Sequence, residues 1–274
     1  QTLKYPKDAE EHFEALHKVL APWVQLASTA KKMCYKKFCG PWIEDQWIRS
    51  GKRLAEHFGP FIPILMPWIH LWETDDKEYE YDKMLQTLRK SLRPDVAYIT
   101  ISQAASGLVG VGRPNISAHR FAKRLEIMKT MPNVLVVSPA GYGHVPIPHL
   151  LRELKLLKGS VFKPMAKRDL LVSFLGSYST DNNGFRMRMH KMVDETCKSL
   201  GVKCDMHRRE EHKDVYRQIA ANSKVSLCPR GFGRTSFRLY EILDLGLIPI
   251  HVYYDTPWLP YPDLYKKIGF STDL

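Results

Sequence analysis

The order of apolar and polar residues predicts helices alternating with short strands in the first half of the chain. The predicted elements are helices at 7–33 and 42–58, a strand at 61–66, a helix at 80–92, a strand at 96–101, a helix at 117–129, a strand at 134–137 and a helix at 150–158. Phe13, Leu16, Leu20 and Val24 share one side of the first helix. Pro22 lies inside that helix and is expected to kink or divide it.

The second half of the chain shows the same alternation. Its predicted elements are a strand at 170–175, a helix at 184–200, a strand at 202–205, a helix at 212–222, a strand at 225–227, a helix that begins near 236 and a strand from 248. Thr235 or Ser236 is a suitable N-cap for the last helix, and Gly246 is a suitable stop. Strands that alternate with helices indicate parallel βαβ units.

Two such runs predict an α/β protein with two Rossmann-like domains, 1–158 and 159–274. The junction at 150–168 is basic and contains Gly159 and Pro164, which suit a hinge. Ligands of open parallel sheets bind at the carboxyl ends of the strands. We therefore expect two such edges to face a cleft, with one ligand on each domain.

Composition narrows the class of protein. The chain has 274 residues, of which 44% are hydrophobic, which is enough for ordered cores. Its formal net charge of +12 suits an anionic substrate, an acidic surface or nucleic acid, although the basic residues are interleaved with acids such as Glu210 and Glu211. No apolar run approaches the roughly 18 residues of a membrane span. The chain begins at Gln1, which is compatible with a lost Met or a removed leader.

The cysteines leave two interpretations open. Cys34, Cys39, Cys197, Cys204 and Cys228 are odd in number and contain no CxxC pair, so a structural zinc site is not expected. Cys34 with Cys39, or Cys197 with Cys204, are possible disulfide pairs. Free thiols in a reducing compartment explain the same residues equally well.

The segment 222–251 carries the strongest chemical signal. Pro229, Gly231 and Gly233 form a turn between a short strand and a helix, where free backbone N–H groups and the helix dipole attract phosphate. Such glycine loops also join strands to helices in many α/β proteins that bind no phosphate. The loop lacks the lysine of a Walker motif and the full GxGxxG fingerprint, so neither an ATPase nor a dinucleotide site is favoured.

The charged residues that follow this loop suggest a nucleotide. Arg234 and Arg238 add positive charge near the expected phosphate position. Glu241 lies one helical turn after Arg238, and its carboxylate is suited to accept hydrogen bonds from the two hydroxyls of a ribose. The segment therefore predicts a site for a nucleoside diphosphate.

Three motifs of the second half stand in a characteristic order. The residues that form them are Ser223, Lys224, Val225, Leu227, Pro229 and Gly231, then Ser236, Arg238 and Glu241, then Gly246, Ile248, Pro249 and Ile250, with Leu175, Gly176, Arg186 and Tyr216 upstream. In this order they resemble the C-terminal signature of exostosin-type glycosyltransferases, and 141–148 is similar to that family's Ile-Pro-x-Pro turn. The resemblance is dense over 170–262 and thin over 60–150. It implies the two-domain GT-B architecture, inversion at the anomeric carbon and no bound metal.

The resemblance also implies that the second domain binds the donor. The implied donor residues are Gly176, Tyr178, Arg186, His207, Arg208, Pro229, Gly231, Gly233, Thr235, Ser236, Phe237, Arg238 and Glu241. Arg186, with Arg188 as its alternative, is expected to hold the phosphates, because a guanidinium can bind two phosphate oxygens. His207 and Arg208, expected to follow the strand at 202–205, are candidates for the nucleotide base, although a surface loop explains them nearly as well.

A transferase also needs a base that takes the proton of the acceptor hydroxyl. We expect it at a strand end of the first domain, where Asp75 ranks first, Glu73 second and His144 third. Each has a structural alternative, since the acids suit a helix N-cap and the histidine suits a brace for its turn. Residues expected to contact the acceptor or the donor sugar are Trp72, Tyr142 and Asp255.

These expectations describe an inverting transferase that moves a sugar from a UDP-sugar, with a weak preference for xylose, to a hydroxyl of an oligosaccharide or glycan. The UDP-sugar is a co-substrate, and no metal, other cofactor, nucleic acid or membrane span is expected. The expected location is cytoplasmic or otherwise soluble, or the Golgi lumen if an anchor has been removed. The alternatives are a non-catalytic carbohydrate-binding protein of the same fold and, more distantly, a basic nucleic-acid-binding protein.

Overall fold

The computed structural model describes residues 3–29, 40, 42–54, 57–73, 80–104, 130–151, 163–178, 184–208 and 215–274. The chain divides into two compact units, Gln1–Leu150 and Leu151–Leu274, each with its own parallel sheet. This division lies a few residues before the boundary expected at 158/159. The prediction of an α/β protein is confirmed. None of the helices in the described ranges is long and apolar enough to cross a membrane.

Unit 1 contains a four-stranded parallel sheet in the order β1-β2-β3-β4. Its elements are α1 (Ala9–Thr29), α2 (Ile43–Leu54), β1 (Phe61–Pro63), α3 (Trp68–Glu73), α4 (Tyr81–Ser91), β2 (Ala97–Ile101), β3 (Val134–Ser138) and β4 (Val145–Pro146). Pro22 does not divide α1, which continues to Thr29. The predicted helix at 117–129 and most of the one at 150–158 lie outside the described residues.

The core of unit 1 contains the apolar side of α1 that the sequence predicts. Phe13, Leu16 and Leu20 are buried in one cluster with residues of the sheet and of α4. Burying a large apolar side chain contributes about 1.5–3 kcal/mol, so this face of α1 accounts for its attachment. Trp68 is also fully buried, and its Nε1 donates a hydrogen bond of 2.8 Å to Thr100 Oγ1, which joins the start of α3 to β2.

Unit 2 contains a five-stranded parallel sheet in the order β6-β5-β7-β8-β9. Its elements are β5 (Leu170–Gly176), α5 (Phe185–Ser199), β6 (Cys204–Arg208), α6 (Tyr216–Ala221), β7 (Ser223–Pro229), α7 (Phe237–Asp244), β8 (Ile248–Tyr253), α8 (Pro262–Ile268) and β9 (Phe270–Asp273). When β5 to β9 are numbered 1 to 5, their order across the sheet is 2-1-3-4-5. From β5 the chain first continues to β6 on one side and then returns to β7 on the other side, so the strand order reverses between β5 and β7. Ligands of open α/β sheets bind at such a reversal, outside the carboxyl ends of the strands.

Helices cover both faces of the second sheet. Phe185 and Met189 of α5 pack in one cluster with Leu227 of β7. Leu239 of α7 packs with Cys228, the next residue of the same strand, in a second cluster. Successive residues of a strand point to opposite faces, so α5 and α7 lie on opposite sides of the sheet.

Gly246 ends α7, as the sequence predicts. Its φ of +66° lies in the left-handed region that glycine adopts without strain. Its N–H donates to the Leu243 carbonyl at 2.9 Å, and the Leu247 N–H donates to the Ile242 carbonyl at 3.0 Å. This pair of bonds is a Schellman motif, which satisfies carbonyls that the helix end would otherwise leave open.

The position of β6 differs from the sequence prediction. The strand is Cys204–Arg208 rather than 202–205, so His207 and Arg208 lie within it and do not follow it. Cys204 pairs in register with Val172 of β5 and forms a disulfide with Cys197 near the end of α5. These two constraints fix where the strand begins. Of the two possible disulfide pairs, Cys197–Cys204 is therefore confirmed, whereas Cys34 and Cys39 lie outside the described residues.

Candidate functional site

Arg186 joins the two strand ends between which the strand order of unit 2 reverses. Its Nη1 donates 2.9 Å to the Ser177 carbonyl, directly after β5. Its Nε donates 2.9 Å to the Arg230 carbonyl and its Nη2 donates 3.2 Å to the Pro229 carbonyl, at the end of β7. The side chain is buried, and at least three of its N–H groups are used by the main chain. Arg186, which the sequence assigns to the donor phosphates, thus braces the loop that follows β7.

Two glycines of the predicted donor site have different structural roles. A Cβ on Gly176 would lie 2.5 Å from the Phe174 ring, so the end of β5 requires a residue without a side chain. Gly231 closes the loop after β7, because its N–H donates 3.0 Å to the Thr235 carbonyl. A Cβ at Gly231 would meet only ordinary contacts, the nearest at 3.4 Å. The loop shape therefore depends on main-chain hydrogen bonds rather than on Gly231 alone.

Asp255 holds two arginines of the loop. Its Oδ1 accepts a hydrogen bond of 2.5 Å from Arg230 Nη1, and its Oδ2 accepts one of 3.0 Å from Arg234 Nε. Burial alone would raise the pKa of Asp255, but the Thr256 backbone hydrogen bond and the two arginines lower it below its usual value. The Arg230 guanidinium lies 4.1 Å from the centre of the Tyr254 ring. Asp255, expected at the sugar, is thus a partner of both arginines in this structure.

Arg238 and Glu241 form a more exposed pair in the first turns of α7. Arg238 Nε lies 3.2 Å from Glu241 Oε2, and the two side chains are 20% and 24% exposed. The Arg238 guanidinium stacks 4.3 Å from the centre of the Tyr216 ring. In the described part of the chain, neither the terminal nitrogens of Arg238 nor Oε1 of Glu241 makes a hydrogen bond. This pair therefore has polar atoms left for a ligand.

Ser236 occupies the N-cap position of α7 without capping it. Its backbone is extended, with φ of −147°, and its side chain makes no capping hydrogen bond. Its Oγ is buried and has no hydrogen-bond partner among the residues that the structure describes. Thr235 is buried and faces the hydroxyl of Tyr240, whose pKa is raised by burial. Phe237, expected at the donor, is the first residue of the helix.

The carboxyl ends of β5 and β6 carry the residues expected near a nucleotide base. The Tyr178 and His190 rings lie 5.3 Å apart. Tyr178 also stacks on the Phe174 ring of β5, and His190 Nε2 lies 3.2 Å from the Met206 carbonyl of β6. His207 Nε2 lies 2.5 Å from Asp205 Oδ1, with side chains 38% and 21% exposed. Arg208 is the last residue of β6, and its side chain is not among those described. The role of these residues at a base stays a prediction.

Two of the three base candidates fall in or beside a part of unit 1 that is not described. Asp75 lies outside the described residues. Trp72 and Glu73 are the last two residues of α3, and their side chains also lie outside the described part. Their assignment to the acceptor site stays a prediction.

His144 is held by the main chain of its own turn. The Val136 N–H donates 2.9 Å to His144 Nδ1, and the His144 N–H donates 2.7 Å to the Val136 carbonyl. Partial burial lowers the pKa of this histidine. An imidazole whose Nδ1 accepts a hydrogen bond carries its proton on Nε2, so no lone pair is left for a substrate proton. This geometry favours the role of a brace. Tyr142, beside it, is buried, which leaves little of its ring for stacking on a sugar.

Glu44 is a buried carboxyl that sequence reasoning missed. Its Oε1 accepts 2.6 Å from the Gln103 N–H at the end of β2, and its Oε2 accepts 2.6 Å from the Ile69 N–H at the start of α3. Burial raises its pKa to about 8, a shift that the two N–H bonds oppose and the charge of Asp45 reinforces. In sequence, Glu44 reads as an ordinary acid in the first turn of α2, and only its position in the fold shows its burial.

Comparison with known proteins adds no assignment to this geometry. No protein-family model matches the sequence, and no curated protein matches it. Within the described ranges, no group of three or more His, Cys, Asp or Glu side chains is arranged to hold a metal ion. The functional conclusion therefore rests on the motifs of the sequence and on the geometry of the site.

Proposed function

We propose that the protein is an inverting glycosyltransferase of the exostosin type, which transfers a sugar from a UDP-sugar to a hydroxyl of a glycan. The observation that carries this proposal is the Arg238–Glu241 pair on the helix that follows the glycine loop of β7. A partly exposed cation and a partly exposed carboxylate lie beside the point where the strand order reverses. This combination suits a diphosphate joined to a ribose.

In this proposal, unit 2 binds the donor. The terminal nitrogens of Arg238 and the N–H groups at the start of α7 meet the diphosphate, and Oε1 of Glu241 accepts a hydrogen bond from the ribose. Arg186 acts through the loop, since its bonds to the Ser177, Pro229 and Arg230 carbonyls hold the loop in shape. Asp255 acts in the same way by orienting Arg230 and Arg234.

In the same proposal, unit 1 binds the acceptor, which is the division of roles that the resemblance to GT-B enzymes implies. The oxygen of the acceptor hydroxyl attacks the anomeric carbon from the face opposite UDP. The bond to the diphosphate breaks, and its electron pair leaves with UDP. A base on unit 1 takes the hydroxyl proton, while Arg238 and the helix N–H groups stabilise the negative charge on the departing diphosphate.

Calorimetry with UDP tests the donor site. We expect Glu241→Ala to weaken UDP binding by about 1.5–3 kcal/mol, the range for a hydrogen bond to a charged group. Asp244→Ala is the matched control, because Asp244 is an exposed acid on the same helix. Unchanged UDP affinity in Glu241→Ala removes Glu241 from the site, and a wild-type protein that does not bind UDP contradicts the donor assignment altogether.

Turnover separates an enzyme from a carbohydrate-binding protein of the same fold. We expect slow hydrolysis of one UDP-sugar in a screen that includes UDP-xylose, and we expect this activity to survive EDTA. Binding of UDP without hydrolysis or transfer of any UDP-sugar supports the non-catalytic alternative. Complete loss of activity on chelation, with rescue by manganese, contradicts the metal-independent mechanism.

Substitution of the base candidates tests the acceptor side. General-base catalysis contributes about 100- to 10,000-fold to a rate, so Asp75→Asn is expected to lower transfer by at least about 100-fold while UDP affinity stays the same. Glu73→Gln and His144→Ala rank the other two candidates. If all three variants transfer normally, the base is elsewhere in unit 1.

A further inference from the structure

Tyr216 connects the starts of two helices at the carboxyl end of the second sheet. It is the first residue of α6, and its ring lies 4.3 Å from the guanidinium carbon of Arg238, in the first turn of α7. Arg217 lies 5.6 Å from the same ring, and its Nε donates 3.1 Å to the Tyr216 hydroxyl. The ring is thereby fixed from the side of α6 and presents its face to Arg238.

The contact with Tyr216 restricts an otherwise flexible side chain. An arginine has a long stem with many rotamers, and its planar guanidinium stacks on an aromatic face. Stacking fixes the plane of the Arg238 guanidinium, and its Nε then lies 3.2 Å from Oε2 of Glu241. Arg238 thereby contacts both Tyr216 and Glu241.

We propose that Tyr216 is a positioning residue for recognition of a ribose, because its ring holds Arg238 against Oε2 of Glu241 and leaves Oε1 for a ribose hydroxyl. This inference rests on the proposed function, since it takes Glu241 as the ribose ligand. Its consequence is specific: Tyr216 contributes to the discrimination between nucleotides with and without ribose hydroxyls.

A purely structural role for Tyr216 predicts a different result. A residue that only fills space between α6 and α7 affects the stability of the unit, and any loss of nucleotide affinity is then the same for every nucleotide. A residue that orients Glu241 affects only the part of the affinity that depends on the ribose hydroxyls. The ratio of two dissociation constants therefore separates the two roles.

The experiment is calorimetry with UDP and with 2′,3′-dideoxy-UDP, which lacks both ribose hydroxyls. We expect the wild-type protein to prefer UDP by about 10-fold or more. Tyr216→Leu is expected to reduce this preference by about 3- to 10-fold, the range expected for a cation–π contact, and to change the affinity for the dideoxy nucleotide by less than about 2-fold. Tyr216→Phe keeps the ring and is expected to keep the preference. Tyr5→Leu, an exposed tyrosine of unit 1, is the matched control.

A second variant keeps the test decisive if Tyr216→Leu does not fold. Arg238→Lys retains the positive charge but loses the planar group that stacks and pairs, so it is expected to reduce the same preference. A preference for UDP that stays at the wild-type level in Tyr216→Leu and in Arg238→Lys overturns the inference while the donor site stands. A wild-type protein that binds neither nucleotide overturns the proposed function and this inference together.

Discussion

The carboxyl edges of the two sheets place glutamates in opposite surroundings. Glu44, in unit 1, is fully buried, and both of its oxygens accept main-chain N–H groups. Glu241, in unit 2, is 24% exposed, and within the described residues only its Oε2 has a partner, Arg238. A carboxyl group whose oxygens are both used by the backbone stabilises the local fold. One that is partly exposed and half satisfied is available to a ligand. A raised pKa is a common sign of a functional site, but structural groups also show it, and here it belongs to Glu44.

The arginines of unit 2 show the same contrast. Arg186 is buried and bonds to three carbonyls, and Arg230 is buried against Asp255. Arg238 keeps its terminal nitrogens clear of such bonds within the described residues. Positive charge near a glycine loop is therefore not sufficient to identify a phosphate ligand, because part of that charge maintains the loop itself.

The largest expected effect concerns Glu44 and tests whether its carboxyl serves the fold. Its pKa of about 8 in the folded protein lies above the ordinary value of 4.5. Between these values the folded state keeps a proton that the unfolded state loses, so the free energy of unfolding falls as pH rises from about 4.5 to 8. This free energy changes by about 1.4 kcal/mol per pH unit, so its full decrease is on the order of 5 kcal/mol. Glu44→Gln cannot ionise and is expected to remove this decrease.

Urea denaturation between pH 5 and 9 measures the effect. The comparison is between the pH dependence of the wild-type protein and that of the variant, not between their absolute stabilities, because the glutamine amide replaces one acceptor by a donor. Asp45→Asn, the neighbouring acid, is the control and is expected to keep most of the slope. Equal slopes in wild type and Glu44→Gln are incompatible with a buried, proton-retaining carboxyl.

The next effect concerns Arg186 and tests whether this residue holds the loop after β7 in shape or binds phosphate directly. Arg186→Ala leaves three carbonyls without their donor, and an unsatisfied buried polar group costs about 1–3 kcal/mol. We expect a loss of at least about 3 kcal/mol of unfolding free energy, measured by urea denaturation. Arg188→Ala, an exposed arginine of the same helix, is the control and is expected to stay within about 0.5 kcal/mol. Full stability of Arg186→Ala together with lost UDP binding supports the direct phosphate role instead.

A smaller effect is expected from the disulfide that fixes the start of β6. Cys197 and Cys204 are seven residues apart in sequence, and closing a loop of this size stabilises a protein by roughly 2–3 kcal/mol. The Cys197→Ser/Cys204→Ser double variant is expected to lose this amount in urea denaturation, and reductant is expected to destabilise the wild type but not the variant. For Cys197 and Cys204, the bridge excludes the free-thiol interpretation. A wild-type protein whose free energy of unfolding does not change on addition of reductant contradicts this stabilising role of the disulfide.

Local signals of the sequence predicted the fold better than they predicted the site. The end of α7 is closed by a bond from Gly246 to Leu243, three positions earlier, and by one from Leu247 to Ile242, five positions earlier, and such short-range chemistry is visible in sequence. The partners of Arg186 are up to 44 residues away, and Asp255 lies 25 residues from Arg230. Sequence showed that these charges gather near the loop. It did not show whether each one meets a carbonyl, another side chain or a ligand, because that depends on how the strands are ordered in the sheet.

The smallest effect concerns Ser236 and tests whether its hydroxyl, like Glu241, is left for a ligand. Replacing a serine that caps a helix by alanine lowers the free energy of unfolding by about 0.5–2 kcal/mol. Ser236 makes no capping bond, and its buried Oγ has no partner in the described part of the chain, so Ser236→Ala is expected to change the free energy of unfolding by less than about 0.5 kcal/mol. If the hydroxyl serves the donor, calorimetry is expected to show UDP binding weaker by about 0.5–1.5 kcal/mol, the net value of one hydrogen bond. A destabilised protein with unchanged UDP affinity assigns Ser236 to the helix, as its position in the sequence suggests. Unchanged stability with weakened UDP binding places its hydroxyl with Glu241, among the groups that the fold leaves for a ligand.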